Sequence, residues 1–111
     1  IESEAPDIDE SGIAGETPEE YVVRIALAKA RTVASGHSSG TLVLGCDTTV
    51  VLDGKVLGKP ADEADAARML LSLAGRTHTV YTGFALVGAG EDWVERGIDA
   101  ARVAMRPVTR R

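Results

Sequence analysis

The sequence predicts a mixed α/β fold in which helices alternate with pairs of strands. Three observations carry this reading. Two stretches place apolar residues at helical spacing, each preceded by a capping residue and followed by a glycine. The runs between and after them are rich in β-branched residues, as strands are. The order is helix, strand pair, helix, strand pair, which is not a strict strand–helix–strand series.

Residues 2–15 are acidic and glycine-containing, with Asp7, Asp9 and Glu10 close together. They read as a loop after a strand that ends near Ile1. Thr17-Pro18-Glu19-Glu20 then starts a helix. Thr17 can accept from the backbone, Pro18 suits the first helical position, and Glu20 completes a capping box. This helix is expected to reach residue 35, with Gly36 as its stop. Val22, Ile25, Ala26, Lys29 and Val33 share one face, and Arg24 and Arg31 fall opposite. Lys29 therefore sits mid-stripe, where an alanine or leucine is expected. Either it snorkels out past its own stem, or its charge points into a cleft that the helix helps to wall.

Residues 41–46 and 48–52 read as two strands separated by Asp47, and Asp53-Gly54 is a hairpin turn signal. Asp62 caps a second helix over 63–74, ended by Gly75, with Ala64, Ala67, Leu70, Leu71 and Ala74 as a wide apolar face. Residues 77–87 and 93–105 complete the pattern as long strands around Gly88-Ala89-Gly90.

A chain of 111 residues holds at most one domain, and a small one for this fold class. Hydrophobic residues at 44% and charged residues at 26% are ordinary for a globular chain. No apolar run approaches the length that a bilayer crossing needs, so a membrane is not an expected partner. The net charge of −5 argues against a nucleic-acid polymer, which calls for a basic surface, but not against one small nucleotide. Cys46 is the lone cysteine and sits in an apolar run. That suits a buried thiol in a reducing compartment, hence a cytoplasmic protein. Ile1 and Arg110-Arg111 read as cuts through a larger unit, so the expectation is one domain over 1–111, truncated at both ends.

The chemistry-bearing segment is Leu44-Gly45-Cys46-Asp47-Thr48-Thr49, with Lys59-Pro60 downstream. An aspartate at the end of an apolar strand lies where ligands of open α/β sheets usually bind, although such a residue also serves as a plain turn former. Its company favours a site: Asp9 and Glu10 in the first loop, Lys29 on its stripe, and Lys59 held extended by the proline after it. Carboxylates for a divalent cation and lysines for phosphate oxygens would serve phosphoanhydride hydrolysis. Strand alternation lets only one of Thr48 and Thr49 share a face with Asp47, and Thr49 reads as an ordinary strand residue. His37 and His78 match no metal-ligand spacing. Arg76 reads as well as a helix-end arginine facing the dipole as it does a ligand contact.

In order and spacing, Asp7-Ile8-Asp9-Glu10, Glu16-Thr17-Pro18-Glu19-Glu20-Tyr21-Val22, Ala28-Lys29-Ala30, Leu44-Gly45-Cys46-Asp47-Thr48, Leu57-Gly58-Lys59-Pro60-Ala61-Asp62, Gly75-Arg76-Thr77-His78, Thr82-Gly83 and Arg106-Pro107 resemble the Maf family of nucleoside triphosphate pyrophosphatases, also called septum-formation inhibitors. The resemblance covers almost the whole chain. It implies a mixed sheet with flanking helices, related to the inosine triphosphate pyrophosphatases, with two lobes around a cleft. It also implies hydrolysis of a nucleoside triphosphate to monophosphate and pyrophosphate with a divalent cation, usually magnesium, by a homodimer.

By position, Asp47 is similar to the family's catalytic acid, which engages the metal and activates water, and Glu10 to its second acidic residue. Lys29 and Lys59 look like phosphate-binding lysines, and Thr48 like a residue that helps choose the base. The Asp47-Thr48 pair and Gly75-Arg76-Thr77-His78 are similar to the subgroup acting on dTTP and UTP. The family's opening Ser-x-Ser-Pro-Arg-Arg loop and its Lys-Ala-Gly-Ala-Tyr-Gly-Ile-Gln-Gly stretch are not among these 111 residues. Cys46 stands where alanine is commoner. A non-catalytic nucleotide-binding or interaction module, linked to septum control, is the competing expectation.

Overall fold

The computed structural model describes residues 3–58 and 60–107. Within them α1 (Pro18–Ala34) is followed by β1 (Leu42–Leu52), β2 (Lys55–Leu57), α2 (Glu63–Leu73), β3 (Thr77–Gly88) and β4 (Val94–Ala104). The strands form one sheet in the order β2-β1-β3-β4, and every pairing is antiparallel. The α/β class is as the sequence predicts, but the first strand pair is β1 with the short β2, not two strands divided at Asp47. No described helix is long and apolar enough to cross a membrane.

Helix α1 begins on the expected capping box. The Thr17 hydroxyl accepts from the Glu20 backbone N–H at 3.1 Å, and the Glu20 carboxylate accepts from the Thr17 N–H at 2.9 Å. Its end differs from expectation. Gly36 does not take a left-handed conformation; Ser35 closes the helix, donating its N–H to the Arg31 carbonyl and its hydroxyl to that of Thr32. The buried face is also wider than the five-residue stripe, since Leu27, Ala30 and Ala34 join Val22, Ile25 and Ala26.

Two glycines let α1 lie directly on the sheet. A Cβ on Gly45 of β1 would stand 2.2 Å from the Ala26 carbonyl oxygen, and one on Gly83 of β3 would stand 2.4 Å from the Val22 carbonyl carbon. Neither position has room for a side chain. Around this approach lies a core of small residues: Ala26, Ala30, Ala34, Val43, Ala85, Val87 and Ala89, with Leu27.

The two strands expected around Asp47 are one. β1 runs unbroken through that residue, because β3 pairs with it from Leu42 to Val51 and sets Gly83 opposite Asp47. Asp47 is thus a mid-strand residue. After β1, Asp53 and Gly54 both adopt positive φ (51° and 76°), the geometry of a two-residue hairpin turn, and Leu52 pairs with Lys55 across it. Asp62 caps α2, accepting from the Asp65 N–H at 2.8 Å. The wide apolar face expected on α2 is not a packed one: only Leu73 is buried, and Leu70 and Leu71 are exposed. Among the described residues no other element packs along the length of that helix.

Candidate active site

Strand alternation assigns the residues of β1 to two faces. Val43, Gly45, Asp47 and Thr49 point to the α1 side; Leu42, Leu44, Cys46 and Thr48 point away. Cys46 is therefore exposed, not the buried thiol expected from its apolar surroundings. Its run of neighbours is apolar on both faces, but only one face is covered by the described residues.

Asp47 carries a charge in the middle of a strand, with its side chain only 11% exposed. Desolvating a lone carboxylate would be expensive, and its partner comes from α1. Lys29 Nζ donates to Asp47 Oδ1 at 3.0 Å and to the Cys46 carbonyl at 3.4 Å. The mid-stripe lysine is explained by this contact: it stands at the edge of the buried helix face with its ammonium group turned onto the strand. The third member is Glu10, whose Oε1 lies 3.8 Å from the same nitrogen. Residues 18 and 19 positions apart in sequence are thus gathered around one cation: Glu10 from the first loop, Lys29 from the helix and Asp47 from the strand.

The loop that delivers Glu10 has no helix or strand of its own, so side chains of α1 set its course. Tyr21 Oη donates to the Glu10 carbonyl at 2.6 Å, and Arg24 Nη2 donates to the Ser11 carbonyl at 2.8 Å. Arg24 also grips both carboxylate oxygens of Glu16, through Nε at 2.6 Å and Nη2 at 3.0 Å. The guanidinium holds the Glu16 carboxyl below its ordinary range, and the carboxylate raises that of Arg24. Burial, and then the charges of Asp47 and Glu10, push the Tyr21 phenol up, which keeps it a protonated donor. Neither Tyr21 nor Arg24 stands out as functional in the sequence, where they read as ordinary helix residues.

The carboxylates border a cleft of about 600 Å³ whose walls are the 10–18 loop, the middle of β1, the β2 end and Met69 of α2. Asp47 and Glu10 supply charge at one side, while Ile13, Val50, Val56 and Leu57 supply apolar surface. Thr48 and Thr49 both line it. Thr49 is buried on the Asp47 side, whereas Thr48 lies on the other face, its hydroxyl 3.3 Å from that of Thr82. Lys59 lies outside the described residues. Arg76 is paired with Asp53 at the β1–β2 turn. His78 is buried, its Nδ1 without a hydrogen-bond partner among the described residues.

Among the described residues no three carboxylate, histidine or cysteine side chains come together as a ready-made metal cage. A pair of carboxylates beside an open cleft is nevertheless what a magnesium ion bound jointly by protein and phosphates requires, since that ion keeps waters and takes one or two carboxylates plus phosphate oxygens.

Comparison with known proteins finds similar chains. Proteins called dTTP/UTP pyrophosphatase match the chain in several bacteria. That of Shewanella denitrificans is 57% identical over 84 residues, covering 74% of this chain and 42% of its own length. That of Symbiobacterium thermophilum is 48% identical over 99 residues, covering 89% and 50%, and that of Burkholderia thailandensis is 46% identical over 106 residues, covering 91% and 50%. The chain spans about half the length of these curated relatives. The family profile of Maf-like proteins matches residues 1–111. Because that match runs from the first residue to the last, the chain belongs to the family of Maf-like proteins.

Proposed function

We propose that the protein is a nucleoside triphosphate pyrophosphatase that hydrolyses dTTP and UTP to the monophosphate and pyrophosphate, with a divalent cation, magnesium by preference. The observation that supports this most is the convergence of Asp47 and Glu10 on Lys29 at the charged side of a cleft with an apolar remainder. The name shared by its relatives supports the choice of pyrimidine nucleotide.

In this reading Asp47 and Glu10 hold the cation, which when bound would polarise phosphate oxygens and acidify a water. Asp47 orients the attacking water and takes its proton. Formation of monophosphate and pyrophosphate requires that water's oxygen bond to the α-phosphorus while the bond to the β-phosphate's bridging oxygen breaks. Lys29 shifts from neutralising the carboxylates to contacting a phosphate oxygen, a small movement for an ammonium already beside the cleft. Lys59 is assigned the same role on a second phosphate oxygen. The apolar wall receives the base, and Thr48 contributes to its selection. The same reading makes the protein a cytoplasmic homodimer that acts on free nucleotides, with no membrane or nucleic-acid polymer as partner; the net charge of −5 supports the last point.

Incubation of the natural full-length protein with magnesium and a panel of triphosphates should release pyrophosphate from dTTP or UTP first. Preference for a purine triphosphate would overturn the pyrimidine assignment. Binding of dTTP without hydrolysis would favour the non-catalytic module instead.

A further inference from the structure

The Glu10 carboxylate is useful only if its loop holds still, and residues 3–16 contain no backbone ladder to hold it. Its own hydrogen bonds are local: Ser11 N–H to Asp9 Oδ1 at 2.9 Å, and Ile13 N–H to Glu16 Oε1 at 3.3 Å. Tyr21 and Arg24, one helical turn apart on α1, tie the backbone of this loop to the helix beside Glu10. They take the carbonyls of two consecutive residues, Glu10 and Ser11. The two side chains also brace each other, with the Arg24 guanidinium 5.5 Å above the centre of the Tyr21 ring. The tyrosine is the more telling of the two, because its hydroxyl bonds the very residue whose carboxylate reaches Lys29. Its 2.6 Å contact spans 11 positions of sequence, so it fixes tertiary position, not a local turn.

We infer that Tyr21 is a positioning residue for Glu10: its hydroxyl, donated to the Glu10 carbonyl, pins the loop so that the Glu10 carboxylate faces Lys29 and Asp47. This rests on the proposed pyrophosphatase activity, in which Glu10 takes part. Tyr21 itself touches neither phosphate nor metal in this account. A catalytic group displaced by about 1 Å can lose on the order of a hundredfold in rate, so removing one oxygen atom from the helix should be visible in turnover.

The test uses Tyr21→Phe, Glu10→Gln and the double variant in the natural full-length protein, assayed for pyrophosphate release from dTTP or UTP with magnesium. Tyr21→Phe should lower kcat by roughly tenfold to a hundredfold, with little change in KM and no loss of cooperative unfolding. In the double variant the tyrosine change should add almost nothing to Glu10→Gln, since the two act as a unit. Unchanged kcat in Tyr21→Phe, or full additivity with Glu10→Gln, would overturn the inference. Amide hydrogen exchange of residues 10–16 provides a reading that does not depend on turnover. It should be faster in Tyr21→Phe, and unchanged exchange would refute the tether even in an inactive protein. A wild-type protein without turnover on any triphosphate, but with faster loop exchange in the variant, would overturn the proposed function and leave the tether standing without its catalytic purpose.

Discussion

On the α1 side of the sheet, Gly45 of β1 meets helix backbone, Asp47 meets a lysine and Thr49 is buried; on the other side, Leu42 and Leu44 are 62% and 64% exposed and Phe84 is 40% exposed. The same strands build both faces. What separates them is the distance at which a second layer packs. Side-chain-free positions at Gly45 and Gly83 bring α1 close enough for a lysine on its edge to reach a mid-strand carboxylate. The outer face offers large apolar side chains that no described element covers, and Phe84 lies across Gly97 of β4, where a Cβ would come within 2.4 Å of its ring. Close packing and charged chemistry thus occur together on one face, because the approach that excludes side chains also positions Lys29.

The sharpest way to break this contrast is to push the helix off. Gly45→Ala places a methyl group 2.2 Å from the Ala26 carbonyl oxygen, closer than real contacts allow. Overpacking of this kind costs about 1–3 kcal/mol and more where backbone must move. We expect a large fall in the thermal midpoint, with loss of turnover because Lys29 leaves Asp47. Leu44→Ser, one residue away on the outer face, should change stability by no more than about 0.5 kcal/mol in either direction. Equal effects of the two changes in thermal unfolding would erase the distinction between faces.

Lys29→Ala should have a double effect of intermediate size. It removes the proposed phosphate contact, and it also strands the Asp47 carboxylate in a largely buried position, a loss well short of the about 3–5 kcal/mol of complete burial because both side chains keep some exposure to water. Lys29→Ala combined with Asp47→Asn should recover part of the lost stability but none of the turnover. Failure of the second change to restore stability would mean that the ion pair is not what holds the charge in the strand.

The smallest effect concerns acid. Glu16 titrates below its ordinary value of 4.5, first because the Arg24 guanidinium bonds it, and Asp9 is lowered likewise by Ser11. A carboxyl depressed by folding contributes stability above its unfolded value and loses it as pH falls through its folded value. The clamp on the 10–16 loop should therefore loosen below about pH 4.5 and be intact at neutral pH. Hydrogen exchange of that loop should rise in acid in the wild type, and Glu16→Gln should show fast exchange already at neutral pH. Loop protection that does not fall at any pH between 7 and acid unfolding of the whole protein would show that the Glu16–Arg24 contact does not tether it.

Much of this was legible in the residues. The Thr17–Glu20 box, the Asp62 cap and the Asp53-Gly54 turn are local devices, and each formed where its sequence placed it. Whether Asp47 ends a strand is not a local matter. A single carboxylate in an apolar run looks like a boundary, and only the lysine 18 positions earlier makes its mid-strand place tolerable. Cys46 misled for a related reason, since an apolar run does not say which face is covered. The role of Gly45 and Gly83 was equally hidden, because glycine signals a close approach only once the approaching element is known. Tyr21 and Arg24 carry no spacing signal of their own; their importance comes from the two loop carbonyls that their side chains bond.

In the proposed function the Asp47 carboxylate, on the covered face, performs chemistry and does not merely balance Lys29. Pyrophosphate release from dTTP or UTP by Asp47→Asn in the natural full-length protein, measured beside nucleotide binding by calorimetry, tests it most directly. The substitution keeps shape and removes charge. We predict a loss of turnover on the order of a hundredfold or more, with the protein folded and nucleotide still bound. Wild-type turnover in Asp47→Asn would show that the aspartate serves only to pair with Lys29 in the fold.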